Sequence, residues 1–214
     1  LERVQAASAE VLAGEDLGLA DVRLTGALVA DAAAVDIVYL AAGTVDVEAG
    51  NSLDAKGVDV GGAVRLVAGT DMGVGDLSAG GATTLVAGGD LVGLDLTVGG
   101  ALDARADKDL LLEQVAVGGG ADFLAGGVLD LASVSVAGDL AGTSGADLRL
   151  RDVSAGGATS LDAGGALVGT DVVVAGSLTA ASMGDMTFDR LAAGRSDLAA
   201  GGALSGTDWT IAGD

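Results

Sequence analysis

The sequence predicts an all-β fold, a parallel β-solenoid of about 11 coils with mostly 19 residues in each coil. Three observations predict it: a 19-residue repeat, apolar residues that alternate within each repeat, and glycine-rich breaks between the alternating runs. A repeat of this length is typical of a stacked architecture in which each unit completes its core only against its neighbours. Nineteen residues are too few for a pair of packed helices, so each repeat is interpreted as one coil of strands.

The repeat appears when the chain is written in lines of 19 residues from Gly61. Successive lines open with GGAVRLVAGTD, GGATTLVAGGD and GGALDARADKD. The phrase AGGALVGTDVVVAGS at 163–177 returns at 200–214 as AGGALSGTDWTIAGD, because a line of 19 and a line of 18 residues separate them. Positions are numbered along this line below, and a column is the set of residues that share one position in successive lines.

Eleven such lines cover almost the whole chain. We expect a lead-in at 1–5, a continuous solenoid over 6–211 and the start of a further coil at 212–214. Residues 25–41 form a shortened line of 17 residues, which must tighten a corner or shorten a strand. We expect Tyr39 to lie at or near that irregularity.

The columns predict strands because apolar residues recur at positions 6 and 8, 12 and 14, and 17 and 19. This is the two-residue period of a strand with one face turned inward, and the three- and four-residue spacings of a helix are not sustained. Glycine at positions 1, 2, 9 and 10 is expected to permit corners with a positive φ. Neighbouring coils about 4.8 Å apart would give a rod roughly 50 Å long. The clearest column, at position 12, contains Leu53, Met72, Leu91, Leu110, Leu129, Leu148, Leu167, Met186 and Leu204.

The composition suits a narrow aliphatic interior and excludes several functional classes. Half of the residues are hydrophobic, which argues against disorder, but only four are aromatic and 38 are glycine. The net charge of −21 argues against nucleic acid, sulfated glycans and anionic membranes as partners. With no cysteine and no histidine, the chain has no disulfide framework, no zinc site of the usual kind and no histidine-based triad.

The repeats resemble those of the filamentous haemagglutinin family of bacterial exoproteins, which includes the stalks of contact-dependent inhibition proteins. The resemblance rests on the 19-residue period, on openings such as Gly80-Gly81-Ala82, and on the Leu-Val-Gly-Leu-Asp-Leu pattern at 91–96. It extends from Ala6 to the C-terminus.

The resemblance implies a right-handed parallel β-helix that is secreted through an outer-membrane two-partner-secretion transporter and acts as an extracellular shaft at the bacterial surface. The expected function is therefore a structural segment of an adhesin or toxin-delivery stalk. The alternative is a binding module that contacts a host or bacterial surface receptor along one face. Exposed aliphatic or aromatic residues clustered on one face would favour binding, and a polar acidic exterior would favour the shaft.

An acidic column at position 16 is the strongest polar pattern. Its carboxylates could bind Ca²⁺ between coils, since Ca²⁺ prefers several oxygen ligands, or could simply suit exposed corners, and the second interpretation is preferred. A calcium-binding nonapeptide repeat does not fit, because GGDLVGLDL at 88–96 places Asp and Leu where that repeat requires glycine. The column contains Asp21, Asp76, Asp95, Asp152, Asp171 and Asp208, with Gln114, Ser133 and Arg190 interrupting it.

Other candidate sites are weaker. Residues 194–197, Gly-Arg-Ser-Asp, have serine where an integrin-binding motif has glycine, so cell attachment is not inferred from them. Asn51 is a single corner amide and cannot form a ladder. A glycosidase needs two placed carboxylates and usually aromatic sugar platforms, and the repeats supply only the first. We therefore expect no enzyme activity and assign no catalytic, cofactor-binding or metal-binding residue.

The last line contains a tryptophan in a column that is otherwise aliphatic. Trp209 occupies position 17, where the other residues are aliphatic, so it should point inward onto Leu191. The line stops at Asp214 without a polar cap, which predicts an excised fragment with Trp209 half covered and a tendency to associate end to end.

Overall fold

The computed structural model describes residues 3–213 and contains only strands, turns and bends over that range. All strands join one continuous sheet in which every pairing is parallel. The predicted β-solenoid is therefore confirmed. The strands are β1 (Val4–Ala6), β2 (Ala9–Leu12), β3 (Leu17–Leu19), β4 (Val22–Leu24), β5 (Ala27–Ala32), β6 (Val35–Ile37), β7 (Leu40–Ala42), β8 (Thr44–Ala49), β9 (Leu53–Val60), β10 (Val64–Ala68), β11 (Met72–Ala79), β12 (Thr83–Ala87), β13 (Leu91–Val98), β14 (Leu102–Ala106), β15 (Leu110–Val117), β16 (Ala121–Ala125), β17 (Leu129–Val136), β18 (Leu140–Ser144), β19 (Leu148–Ala155), β20 (Thr159–Ala163), β21 (Leu167–Ser182), β22 (Met186–Ala200) and β23 (Leu204–Ile211).

Each strand pairs with its equivalent in the next coil, so residues 19 apart become neighbours. In β11, Met72 pairs with Leu53 below and Leu91 above. A regular coil contains a five-residue strand such as β12 and an eight-residue strand such as β13, joined by three-residue corners. The long strand also bends in its middle, because the residue at position 16 leaves the pairing register between position 15 and position 17. A coil therefore has three straight sides.

The core consists of stacked aliphatic columns from all three sides. Side chains at positions 4, 6, 8, 12, 14, 17 and 19 alternate inward and form one continuous buried cluster. Because the pairing register is constant, similar side chains of successive coils stack on one another. Leu129, Leu148 and Leu167 form one such buried column. This is the packing that the two-residue period predicts.

The glycines at the corners have a different role from the one expected. Among the described residues, the only glycine with a positive φ is Gly57, which lies at position 16. The corner glycines are required by space instead: a Cβ at Gly69 would lie less than 3.0 Å from the carbonyl oxygen of Gly50 in the coil below, and one at Gly88 would meet that of Gly69 in the same way. The expectation of positive φ at positions 1, 2, 9 and 10 was therefore wrong. These positions are small because backbones of successive coils stack directly on each other.

The shortened line differs from a regular coil at two corners. A regular corner has three residues between positions 8 and 12, whereas only two residues, 33 and 34, separate Ala32 from Val35. The other missing residue lies outside 25–41. A regular corner also has three residues between position 19 and position 4 of the next coil, whereas only residues 43 and 44 separate Ala42 from Val45. In this coil two three-residue strands, β6 and β7, replace the eight-residue strand of a regular coil, and Tyr39 lies between them.

Two phenylalanines are accommodated by small residues in the neighbouring coils. Phe188 is fully buried, and its partners in the ladder are Gly169 below and Gly206 above. Phe123 likewise lies between Ala104 and Gly142. A large ring in a column of constant spacing needs extra volume, which the smaller neighbours supply.

Four polar side chains are buried in the aliphatic core. The hydroxyls of Ser144 and Ser182 donate hydrogen bonds of 3.0 and 3.1 Å to the carbonyl oxygens of Ala146 and Gly184. The hydroxyls of Thr83 and Thr159 are buried and have no hydrogen-bond partner among residues 3–213. Such an unpaired group destabilises the folded state relative to an apolar group of the same shape.

We expect Thr83→Val to raise the free energy of unfolding by about 1 kcal/mol, because valine keeps the shape and removes the unpaired hydroxyl. Ser144→Ala is the control, since it removes a hydroxyl that is hydrogen-bonded, and it should lower stability by about 1 kcal/mol. Urea denaturation of both variants checks the prediction. A loss of stability in Thr83→Val would show that its hydroxyl has a partner.

Candidate functional site

The acidic column at position 16, with the exception of Asp21, is explained by backbone conformation. Asp76, Asp95, Asp152 and Asp171 have φ values from 48° to 55°, in the left-handed region. Aspartate and asparagine adopt this region more readily than most residues, because their short polar side chains interact with the local backbone. Gln114, Ser133, Arg190 and Gly57 take the same conformation at the same position. The column therefore marks the bend of the long strand, and its side chains lie outside the core.

A second acidic column, at position 11, links successive coils, and the sequence analysis missed it. Oδ1 of Asp71 accepts a hydrogen bond of 3.0 Å from the backbone N–H of Asp90, and Oδ1 of Asp90 accepts one of 3.1 Å from that of Asp109. Oδ1 of Asp109 and of Asp147 accept from Val128 and Ala166. These carboxylates satisfy N–H groups at corners where strand pairing is interrupted. The repeated Asp immediately before the position-12 leucine was the available signal.

Glycine lies at position 10 beside this hydrogen bond in several coils, whereas Lys108 occupies that position beside the bond between Asp90 and Asp109. A Cβ at Gly127 would lie less than 3.0 Å from Oδ1 of Asp109, and one at Gly165 would meet Oδ1 of Asp147 in the same way. Asp139, in the corner before position 4, accepts from Ala158 at 2.7 Å and lies against Gly157. Where position 10 is glycine, the carboxylate of one coil and the glycine of the next therefore lie against each other.

This contact predicts a non-additive double-mutant cycle. Gly127→Ala forces the Asp109 carboxylate away from Val128, and Asp109→Ala removes the same hydrogen bond, so each should lower stability by about 1 kcal/mol. In the double variant the clash is absent, and we expect a coupling free energy of at least about 0.5 kcal/mol. Urea denaturation of the four proteins measures it. Strictly additive losses would contradict the pairing.

Most basic side chains are paired with neighbouring carboxylates. Lys56 Nζ lies 2.7 Å from Asp54 Oδ2, and this hydrogen bond together with the charge of Asp54 raises the pKa of Lys56. The hydrogen bond that Arg65 donates to Asp46 raises the pKa of Arg65 in the same way. The surface therefore has little free positive charge with which to attract an anionic partner. With carboxylates of the described part of the chain, seven of the ten Lys and Arg side chains form such pairs: Arg23, Lys56, Arg65, Arg105, Arg149, Arg151 and Arg190.

Two of the four aromatic residues are buried in the core, and the other two are partly exposed. Phe123 and Phe188 are buried in the core. Tyr39 lies on the outside at the irregular coil, where the guanidinium of Arg23 is 5.4 Å from its ring centre. Trp209 pairs with Leu191 and donates a hydrogen bond of 2.9 Å to the Phe188 carbonyl oxygen, with 38% of the residue exposed. The inward direction predicted for Trp209 is therefore confirmed.

The remaining sequence candidates are placed on corners or strands. The corner before Ser196 is one residue short, and Arg195, Ser196 and Asp197 continue in β22, paired with Ser177, Leu178 and Thr179. Asn51 lies at a corner, and its backbone N–H donates to the Ala33 carbonyl oxygen. Neither segment forms a projecting loop.

The grooves of the surface are shallow and follow the corners. One groove of about 390 Å³ is lined by small residues such as Ala82, Ala101 and Gly120, with Asp103 and Asp122 beside them. A second, of about 460 Å³, follows the corner that precedes β3 and β6. Within residues 3–213, no group of three or more acidic side chains is arranged to hold a metal ion, and no helix is present that could cross a membrane.

Comparison with known proteins gives no match to a family model, to a curated protein or to a solved structure. The geometry of the solenoid itself therefore supplies the functional argument.

Proposed function

We propose that this solenoid is a structural shaft segment of a large secreted bacterial surface exoprotein, an adhesin or a toxin-delivery stalk, and that it holds a distal functional region away from the cell. The single observation that carries the proposal is the uninterrupted ladder. From β8 to β23 the coils follow one another with corners of two or three residues and no inserted loop. Repeat scaffolds that bind or catalyse usually do so through such loops.

The chemistry of the side chains supports a mechanical role. The corner glycines allow the backbones of successive coils to stack closely, and the position-11 carboxylates accept hydrogen bonds from the next coil. Most Lys and Arg side chains form ion pairs with carboxylates of the solenoid itself. Each coil adds a constant rise of about 4.8 Å, so length is set by the number of repeats. The net charge of −21 keeps neighbouring rods apart.

The resemblance to filamentous haemagglutinin repeats supplies the proposed setting, which is export through an outer-membrane partner transporter to the extracellular surface. A solenoid suits such export, because a chain that emerges unfolded can add one coil at a time to those already folded. The chain contains no cysteine, so this folding needs no oxidant.

A binding face would require exposed aliphatic residues to cluster on one side of the solenoid, whereas a shaft would not. Leu12, Val29 and Leu124 point outward from the side that contains β2, β5 and β16, but β16 is far along the rod from β2 and β5. Val173 lies on the long strand β21 and Met183 at a corner, so these five residues do not form one cluster. One local group on β13 and β15 is an exception and is treated below.

The test is binding of the labelled protein to intact bacterial cells and to cultured epithelial cells. A shaft segment should show no saturable binding to either. Saturable binding that survives competition with unlabelled albumin would overturn the proposal and favour the binding module.

A second measurement tests the role as a spacer. Deleting residues 99–136 removes two complete coils and joins Val98 to Ala137 in register, so the rod should shorten by about 10 Å and remain folded. Deleting 99–131 breaks the register and should prevent folding of the array. Small-angle X-ray scattering and circular dichroism distinguish these outcomes, and equal behaviour of the two deletions would contradict the modular shaft.

A further inference from the structure

Two glycines on the outer face of β11 are not explained by the fold. Gly73 and Gly75 lie at positions 13 and 15, where side chains point to solvent, and neither has a positive φ. A Cβ at Gly75 would meet nothing within 4 Å, and one at Gly73 would come no nearer than 3.3 Å, to the Asp54 carboxylate. At the corner glycines, in contrast, the backbone of the coil below comes too close for a Cβ. Glycine weakens a strand, and where packing does not require it, it often marks the close approach of a ligand or another chain.

The missing side chains leave a hollow of about 130 Å³ on the sheet face. Its floor is the backbone of Gly73, Val74 and Gly75, and its walls include Lys56 on one side and Val92 and Leu94 on the other. The size is close to the roughly 150 Å³ of a cavity that binds benzene. The hollow therefore fits one aromatic ring or one large aliphatic side chain.

The surface beside the hollow is apolar. Val92 and Leu94, on β13, are 38% and 43% exposed, and Leu111 of β15 lies next to Val92 in the ladder. We call Gly73, Gly75, Val92, Leu94 and Leu111 the apolar strip. Within the described coils, two exposed large aliphatic residues, Val92 and Leu94, here share the outer face of one strand, and the half-buried Leu111 lies beside them on the next strand.

Carboxylates border the strip along both edges. Asp71, Asp90 and Asp109 follow one edge at position 11, and Asp76 and Asp95 follow the other at position 16. The two edges are five residues apart along the strand, or about 17 Å. Lys56 is paired with Asp54 and so adds no net positive charge to the hollow. A partner must therefore bring apolar surface in its centre and positive charge on both flanks.

We propose that the apolar strip binds a cationic peptide segment of another protein, in which one aromatic side chain enters the hollow and lysine or arginine residues on both sides reach the bordering aspartates. A second copy of this chain does not fit, because each copy carries a charge of −21 and seven of its Lys and Arg side chains are already paired with its own carboxylates. Nucleic acid and anionic lipid are repelled by the same carboxylates.

The test uses two fluorescein-labelled peptides, Gly-Lys-Arg-Trp-Arg-Lys-Gly and the same peptide with serine in place of tryptophan, titrated with the protein in low salt and followed by fluorescence anisotropy. We expect the tryptophan peptide to bind about tenfold more tightly, as for a buried aromatic anchor at an interface. Binding of both should weaken with added salt, because exposed charges are screened.

Matched variants locate the binding. Gly75→Leu fills the hollow and should weaken the tryptophan peptide about tenfold. Val92→Ser should weaken it about threefold, whereas Val168→Ser should leave it unchanged, since Val168 has the same column and a similar exposure of 42% but lies four coils away. Asp95→Asn should weaken both peptides, and Asp152→Asn, in the same column, should affect them less.

Two results would overturn the proposal: equal affinity of the two peptides, or wild-type affinity in Gly75→Leu. Either would mean that the strip attracts cations only through its charge. Urea denaturation of each variant verifies the fold. If Gly75→Leu fails to fold, equal affinities of Val92→Ser and Val168→Ser would overturn the proposal, and a loss confined to Val92→Ser would support it.

Discussion

Replacing Leu148 with aspartate is expected to unfold the central coils, whereas Asp152→Asn, four residues away, is expected to change stability by less than about 0.5 kcal/mol. Leu148 is 0% exposed and stacks between Leu129 and Leu167. Truncating such a leucine alone costs about 2–5 kcal/mol. A carboxylate in its place adds several kcal/mol for burying an unpaired charge. The sum is comparable with the total stability of an ordinary domain, about 5–15 kcal/mol.

Asp152 is the appropriate control because it lies in the same strand but outside the core. Its φ is 53°, and asparagine adopts that conformation as readily as aspartate does. Urea denaturation gives the difference in stability, and hydrogen exchange should show the loss of protection in Leu148→Asp spreading from β17, β19 and β21. Equal losses in the two variants would mean that the register of the columns is misassigned.

The second large effect is expected at Phe188 and Gly169. Phe188→Ala should lower the free energy of unfolding by about 3–5 kcal/mol, because it empties the volume between Gly169 and Gly206. Gly169→Leu should destabilise by about 1–3 kcal/mol or more, because its side chain would occupy the place of the Phe188 ring, which lies less than 3.0 Å from a Cβ built there.

The two changes should compensate each other. In the double variant the leucine at 169 occupies the volume that the phenylalanine leaves, so we expect a coupling free energy of about 1–3 kcal/mol. Gly75→Leu combined with Phe188→Ala is the control, since Gly75 faces solvent and the effects should add. Chemical denaturation of the set measures both cycles. Additivity at Gly169 would show that the ring and the glycine do not share one space.

Secretion, the transporter and the adhesin or stalk role remain proposals that rest on resemblance and on the plain regularity of the rod. The apolar strip rests on a separate observation, the two unexplained glycines at 73 and 75. A shaft with one lateral docking site and a shaft without one predict the same length and stability. The peptide titrations test whether the docking site exists. The cell-binding and deletion experiments test whether the solenoid acts as a shaft.

The sequence by itself determined the architecture, because the features that specify it repeat along the chain. Leu91 and Leu110 occupy the same position of successive lines, and the two-residue alternation around them assigns each side chain to the inside or the outside. A local period can be read without knowing any distance in space. The solenoid, the inward columns and the direction of Trp209 followed from it.

Only the tertiary structure decided why particular residues stand at the corners. Gly69 is small because the Gly50 carbonyl lies beneath it, and Asp109 is acidic because the Val128 N–H above it needs an acceptor. Asp95 belongs to a left-handed bend, which the sequence analysis weighed only as an exposed corner or a calcium ligand. These reasons depend on the spacing and direction of groups in adjacent coils, 18 or 19 residues apart in sequence, or on a single backbone torsion. Neither leaves a local hydrophobic pattern, so the columns could be predicted and the chemistry at their corners could not.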